Sequence, residues 1–252
     1  MTTTQTAPRR AVRRTPTLHT VRHLARRQAE VAVWFFGILI LAATLAVVVW
    51  DRIGTVDQSI VQFARQGAMI WFPFSLAVIT ATTYLGVHVA SGMTRRAFAS
   101  ASLIVAVGTA AGYAAVLTAL LQTERLVFAV LGMEHGVAVG SALFTDSSQV
   151  GLIALDFLGV ILAGQLSGLL CGVVYYRAGG WWGTVALPLT VGPVFLVLWL
   201  LGTDWLVAIE PRGAAFALDL LWRGALVVGV LALVAGAYAM LVRRASIAAV
   251  RP

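Results

Sequence analysis

The chain has no lysine: all 18 of its basic residues are arginine. A phosphate-binding Walker loop needs a lysine to reach the nucleotide phosphates, so no standard nucleotide site of that kind is present. Schiff-base chemistry and serine–lysine dyads fall on the same ground. A single cysteine, Cys171, excludes an intrachain disulfide and any paired-cysteine metal set, and no HExxH motif replaces it. Charge of either sign is scarce. Charged residues make up 11% of the chain, against roughly 25% in ordinary soluble domains.

Charge is missing above all from long runs. Residues 31–50, 66–94, 97–123, 178–203 and 224–242 contain none, and 147–176 contains only Asp156. About 20 apolar residues carry an α-helix across a ~30 Å hydrocarbon core. These runs predict an all-α polytopic membrane protein with six spans, at about 31–50, 69–90, 98–122, 151–175, 182–202 and 220–242. A mean hydropathy of +0.91 and a hydrophobic share of 60% agree. Residues 1–15 read as a polar, basic, disordered tail, and 16–252 as one transmembrane domain with no room for a second. The first apolar run follows a long basic segment and leads into Asp51-Arg52, so it reads as an uncleaved span rather than a signal peptide.

The arginines alternate between connections. One side of the six-span layout holds Arg9, Arg10, Arg13, Arg14, Arg22, Arg26, Arg27, Arg95, Arg96, Arg177, Arg243, Arg244 and Arg251 against the one acid Glu30. The other holds Arg52, Arg65, Arg125, Arg212 and Arg223 with Asp51, Asp57, Glu124, Glu134, Asp146, Asp204, Glu210 and Asp219. The positive-inside rule then predicts that both termini are cytoplasmic. Trp34 and Trp181/Trp182 fall at inner span ends, and Trp50, Trp71, Trp199, Trp205 and Trp222 near outer ones, as an interfacial aromatic belt requires. The high pI is accounted for by this distribution, directed at anionic lipid or a protein partner rather than nucleic acid.

Residues 16–30 open with Thr15-Pro16 and carry a narrow apolar stripe, Leu18, Val21, Leu24 and Ala25. His19, Arg22, His23, Arg26 and Arg27 surround it. The pattern predicts an amphipathic helix lying in the inner interface plane, or a solvated basic anchor. On the outer side, 203–219 is apolar but interrupted by Glu210-Pro211-Arg212-Gly213, which predicts a re-entrant hairpin.

Few polar groups fall inside the spans. Asp156, Gln165 and Arg223 are the intramembrane polar or substrate-path candidates; a carboxylate in a span must face protein or a wet cavity, and a structural Asp156–Arg223 pair is favoured over a role lining the substrate path, with a snorkelling exposed acid as the remaining reading. His88 reads as an interfacial histidine. Gly164, Gly168 and Gly172 on span four, and Gly108 and Gly112 on span three, form small-residue ridges that let helices approach, within one subunit or between two. Pro73, Pro188 and Pro193 predict kinks in spans two and five. Gly164-Gln165-Leu166-Ser167-Gly168 is similar to the serine loop of rhomboid-type proteases. The serine spacing is wrong, however, and the sixth span lacks a histidine base, so that activity is excluded.

The inner connection after span two is short, and the stretch His88-Val-Ala-Ser-Gly-Met-Thr-Arg-Arg-Ala-Phe98 that contains it resembles the segment between spans two and three in permease subunits of ATP-binding-cassette exporters of the type-2 class. The six-span layout, basic elbow helix and outer hairpin are similar to that class as well. The resemblance implies that Ser91, Gly92, Met93, Thr94, Arg95 and Arg96 dock on a separate cytoplasmic ATPase, which would bind ATP and Mg. This chain itself would then carry no cofactor and no catalytic residue. It further implies a second permease subunit, identical or not, alternating access for a hydrophobic or amphipathic cargo, and a bacterial cytoplasmic membrane. A non-transporting scaffold or accessory subunit, and an ion-coupled secondary transporter, are the alternatives.

The orientation is testable directly. A reporter active only in the cytoplasm should be active when fused after Arg244 or within Gly179-Gly180, and silent near Ser147. Activity near Ser147 would overturn the six-span count.

Overall fold

A computed structural model describes residues 16–53, 59–132, 143–144, 146–202 and 220–245, and every element among them is helical. In chain order these are α1 (Pro16–Ile53), α2 (Ile60–Gln66), α3 (Ala68–Ile79), a π-helical turn (Thr80–Tyr84), α4 (Leu85–Ala90), α5 (Arg95–Leu131), α6 (Val150–Val185), α7 (Leu187–Leu200) and α8 (Leu220–Arg243). Five stretches are long and apolar enough to cross a membrane: 17–46, 68–90, 95–131, 150–185 and 220–243. This is the architecture of a multi-pass helical membrane protein. The tail 1–15 and the hairpin expected over 203–219 lie outside the described residues.

The fifth expected span is the one whose length falls short. α7 is apolar but has 14 residues. Before it, Gly179 adopts φ 77° and ψ 179°, which interrupts α6 near its end. The apolar stretch therefore begins at Gly180, and the Ala186 N–H still bonds to the Trp182 carbonyl at 3.0 Å across the junction. Pro188 sits in the first turn of α7, where its missing N–H costs nothing, and Pro193 lies inside it.

The first segment departs from expectation. Residues 16–30 do not form a separate in-plane helix; they continue without a break into the first span as α1. The apolar stripe is used against the bundle instead. Leu24 and Thr20 are buried, and Val21 and Ala25 pack on the same core, while Arg22, Arg26 and Arg27 stay exposed. Arg26 and Arg27 both reach Glu30, at 3.1 and 3.5 Å, on the solvent side of this helix.

α6 is the central helix, in contact with α3, α5, α7 and α8. Its glycines explain the closest of these contacts. A Cβ on Gly164 would stand 2.8 Å from the Ile70 carbonyl oxygen, and one on Gly172 would stand 2.7 Å from both the Val78 oxygen and Ala81 Cβ. A Cβ on Gly168 would collide with the Phe74 oxygen. The span-four ridge is thus filled by this chain's own second span. Gly108 and Gly112 differ: no atom lies within 4 Å of either Cβ position, and both face outward from α5.

α3 ends in the π-helical turn, a widened coil that α-helices rarely contain outside functional or strained places. Thr80 and Thr82 donate their hydroxyls back to Leu76 and Val78 carbonyls at 2.8 and 2.9 Å, so side chains supply hydrogen bonds where the backbone ladder changes register. Around this centre the outward faces are apolar. Val33, Trp34, Ile38 and Leu41 of α1 and Leu221, Val228, Leu233 and Met240 of α8 are exposed. Patches of this extent belong in lipid, not water. Trp181, Trp182 and Trp222 are exposed near helix ends, in keeping with the aromatic belt, whereas Trp34, also exposed, lies in the middle of α1.

The two glycine ridges should therefore respond differently to a methyl group. Gly168→Ala must push α3 from α6 and should cost at least about 1–3 kcal/mol, the usual range for overpacking. Gly108→Ala should be neutral or slightly stabilising. Thermal unfolding in detergent checks both, and equal losses would refute the assignment of the ridge.

Candidate functional site

Two places concentrate polar chemistry. The first is the turn joining α4 to α5. Gly92, at φ 80°, ends α4: its N–H bonds to the Val89 carbonyl at 3.0 Å, and the Met93 N–H to the His88 carbonyl at 3.3 Å. This is a Schellman cap, and the left-handed residue it needs is the glycine. Ser91 Oγ also donates to the His88 carbonyl, at 2.7 Å. Thr94 then caps α5, its hydroxyl accepting from the Ala97 N–H at 3.2 Å. The connection is consequently tighter than the seven-residue loop expected. Arg95 and Arg96 are not in it; they form the first turn of α5.

That placement runs against helix electrostatics. The N-terminal end of a helix carries partial positive charge, which disfavours cations in its first turn. Neither Arg95 nor Arg96 forms an ion pair among the described residues. Arg243 and Arg244 differ, since they end α8, where the dipole favours them. Arg177 donates to the Leu241 carbonyl at 3.3 Å and so caps the last turn of α8. Among the described arginines near the ends of the long helices, Arg95 and Arg96 stand at a helix end that repels them.

The second place is near the start of α6. Asp156 of α6 is fully buried, and its partner is Arg65 of α2, which is 1% exposed. Arg65 Nη2 donates to Oδ1 at 2.7 Å, and Nε approaches Oδ2 to 2.6 Å in an ion-pair contact outside hydrogen-bond angles. The expected Asp156–Arg223 pair is thus replaced by Asp156–Arg65, although Arg223 is itself buried in α8. The cause is α2. Residues read as an outer connection fold into a helix that runs through Gly67 directly into α3 and brings Arg65 to the depth of Asp156. α5 holds it there: Glu124 accepts from Ser59 Oγ and, at 2.8 Å, from the Ile60 N–H at the start of α2.

Gln165 is also satisfied within the bundle. Its Nε2 donates to Thr109 Oγ1 of α5 at 2.9 Å, and Thr109 donates on to the Val105 carbonyl at 2.7 Å. Ser102 of α5 and Tyr238 of α8 share a buried hydrogen bond of 2.8 Å. Asp156 and Gln165 therefore act as ties between helices in this conformation. Among the described residues no group of three or more His, Cys, Asp or Glu side chains could hold a metal ion.

Sequence reasoning missed Arg65. By the expected bounds Arg65 lay just outside span two and Arg223 just inside span six, so position along the chain favoured Arg223; only the packing of α2, which carries Arg65 alongside α6, decides between them.

Breaking a buried pair strands a charge and commonly costs about 3–5 kcal/mol, whereas replacing both members by apolar residues is often neutral. Asp156→Asn should accordingly lower thermal stability in detergent sharply, and Arg65→Met with Asp156→Leu should recover most of the loss. Strictly additive losses in the double variant would reject the pair.

No family model, curated protein or solved structure matches this chain.

Proposed function

We propose that this chain is the membrane-spanning subunit of an ATP-driven exporter, with the α4–α5 turn and the start of α5 receiving a separate cytoplasmic ATPase. The observation that carries this reading is the rigidly capped turn presenting Arg95 and Arg96 at a helix end that electrostatically disfavours them. An acidic or carbonyl-rich partner surface removes that conflict. Guanidinium groups suit such a surface because their planar fork makes bidentate contacts. ATP and Mg belong to the partner, since a chain without lysine holds no standard Walker site.

On this reading the chain has six spans with both termini in the cytoplasm of a bacterial cell membrane. The fifth in chain order, the one that falls short, is completed by Gly180–Val185 together with α7, a nearly continuous helical stretch of about 31 Å at 1.5 Å per residue. A second permease subunit completes the pathway. The mostly apolar helices favour a hydrophobic or amphipathic cargo. Asp156 is spoken for by Arg65, so it serves as a tie between α2 and α6 rather than as an ion-coupling carboxylate, which argues against the secondary-transporter alternative. The continuous α1 differs from an in-plane elbow. The basic segment then rides on the bundle as part of the first span instead of sliding beneath it.

Replacing Arg95 and Arg96 by Ala should leave a folded, inserted permease that loses most of its ATPase on co-purification or hydrolyses ATP without cargo stimulation. The same change at Arg243 and Arg244 should have a much smaller effect. Equal behaviour of the two double variants, or a wild-type chain that retains no ATPase, would favour a membrane scaffold.

A further inference from the structure

A cavity of about 220 Å³ opens between the first turns of α1 and the α4–α5 turn, lined among others by His19, His23, Tyr84, Val87, His88 and Phe98. His88 forms its buried side. The residue is 6% exposed, and its Nε2 has no hydrogen-bond partner. In the neutral tautomer protonated at Nδ1, the imidazole presents Nε2 as an acceptor. A buried acceptor left unmatched costs about 1–3 kcal/mol, so it calls for a donor from the cavity.

The mouth has a different character. His19 and His23 stand one turn apart on the exposed side of α1, with Arg22 between them in sequence. No acidic residue lines the cavity, and Glu30, the one acid on this part of α1, is taken by Arg26 and Arg27. Below the mouth the walls are apolar and aromatic: His23 lies edge-on to Tyr84 at 6.3 Å, and His88 packs on Phe98 at 5.2 Å. Outside it, Leu18 and Val87 are exposed and apolar.

We propose that this cavity binds the head group of an anionic phospholipid of the inner leaflet, one that carries a hydroxyl beyond its phosphate. The phosphate meets His19 and His23 at the mouth, the hydroxyl donates to His88 Nε2, and the acyl chains lie outside along Leu18 and Val87. A zwitterionic choline head group has no hydroxyl to give to His88 Nε2, so it fits poorly. The inference rests on the inner-side orientation of the α4–α5 turn and not on the exporter reading.

The test uses the full-length protein, delipidated in detergent, with native mass spectrometry and thermal unfolding as readouts. Probes are phosphatidylglycerol, phosphatidylcholine and soluble glycerol phosphate. Wild type should retain one phosphatidylglycerol selectively and unfold at higher temperature with it. His88→Phe should weaken that binding about tenfold, the loss of one buried hydrogen bond, and His88→Gln, which keeps an acceptor, should restore part of it. If His88→Phe fails to fold, His19→Ala with His23→Ala decides, because both residues are exposed; this variant should bind severalfold more weakly. Equal binding of the choline lipid, or no change in either variant, would overturn the proposal. Stabilisation by soluble glycerol phosphate equal to that by the lipid would overturn the lipid source and assign the cavity to a free phosphate ester.

Discussion

The close approach of the second span to α6 is the constraint on which the rest of the bundle depends. In hydrocarbon there is no hydrophobic drive between helices, so association relies on surface fit and on polar ties. Gly164, Gly168 and Gly172 remove side chains along one line of α6, and the carbonyls of Ile70, Phe74 and Val78 occupy the space. With that face fixed, the remaining faces of α6 are set for α5, α7 and α8. The polar ties then fall at defined levels: Asp156 to Arg65 near the start of α6 and Gln165 to Thr109 further along it, with the Ser102–Tyr238 bond joining α5 to α8. A tie made of one hydrogen bond is weak in any solvent. Its value here is positional, since a buried polar group tolerates only the register that satisfies it.

Arginine, the sole cation of the chain, serves in three physically different ways. Arg65 is desolvated and matched by a carboxylate, an arrangement that is costly to break though not strongly stabilising in itself. Arg177 caps carbonyls at the end of α8, where the helix dipole assists it. Arg95 and Arg96 oppose a dipole and have no ion-pair partner in the described bundle. The positive-inside rule concerns which side of a membrane basic residues favour, not their place in a helix, so it leaves the first-turn position of these two unaccounted for.

Span positions were legible because insertion punishes charge so strongly that its absence marks each helix. The expected starts at 69, 151 and 220 lie within one residue of Ala68, Val150 and Leu220. Ends were less legible. α5 runs on to Leu131, far past the expected 122, because nothing in Gln122-Thr123-Glu124-Arg125 breaks a helix and the first stop is Gly132 at φ 69°. The join of the basic segment to the first span was unreadable for a related reason. An amphipathic stripe looks the same whether it faces lipid or protein, and no glycine or proline between Thr17 and Gly37 marks a bend. The partner of Asp156 depended on tertiary placement of a seven-residue helix, which periodicity does not reach. His88 looked like an ordinary interfacial histidine; only the cavity beside it and the unmatched Nε2 set it apart.

The inner half of the bundle also shows how an event at the α4–α5 turn would spread. Leu24 of α1, Leu85 of α4, Phe98 of α5, Val173 of α6 and Tyr238 of α8 belong to one buried cluster. Close-packed interiors transmit displacement because they have little free volume to absorb it. A push on the start of α5 therefore reaches four other helices through direct contact, and α1 carries it across the membrane as an unbroken rod. The place where such motion is most easily taken up is the π-helical turn of the second span, immediately before Leu85. Returning that turn to α-helical register shifts every residue beyond it by about 100° around the axis, since each residue turns the helix by 360°/3.6. Thr80 and Thr82 hold the widened register through their hydroxyls, and Gln28 of α1 reaches Thr80 at 3.5 Å. The π-helical turn of the second span is thus tied to the same helix that the basic segment begins. A load on the inner turn and a load on α1 converge on it.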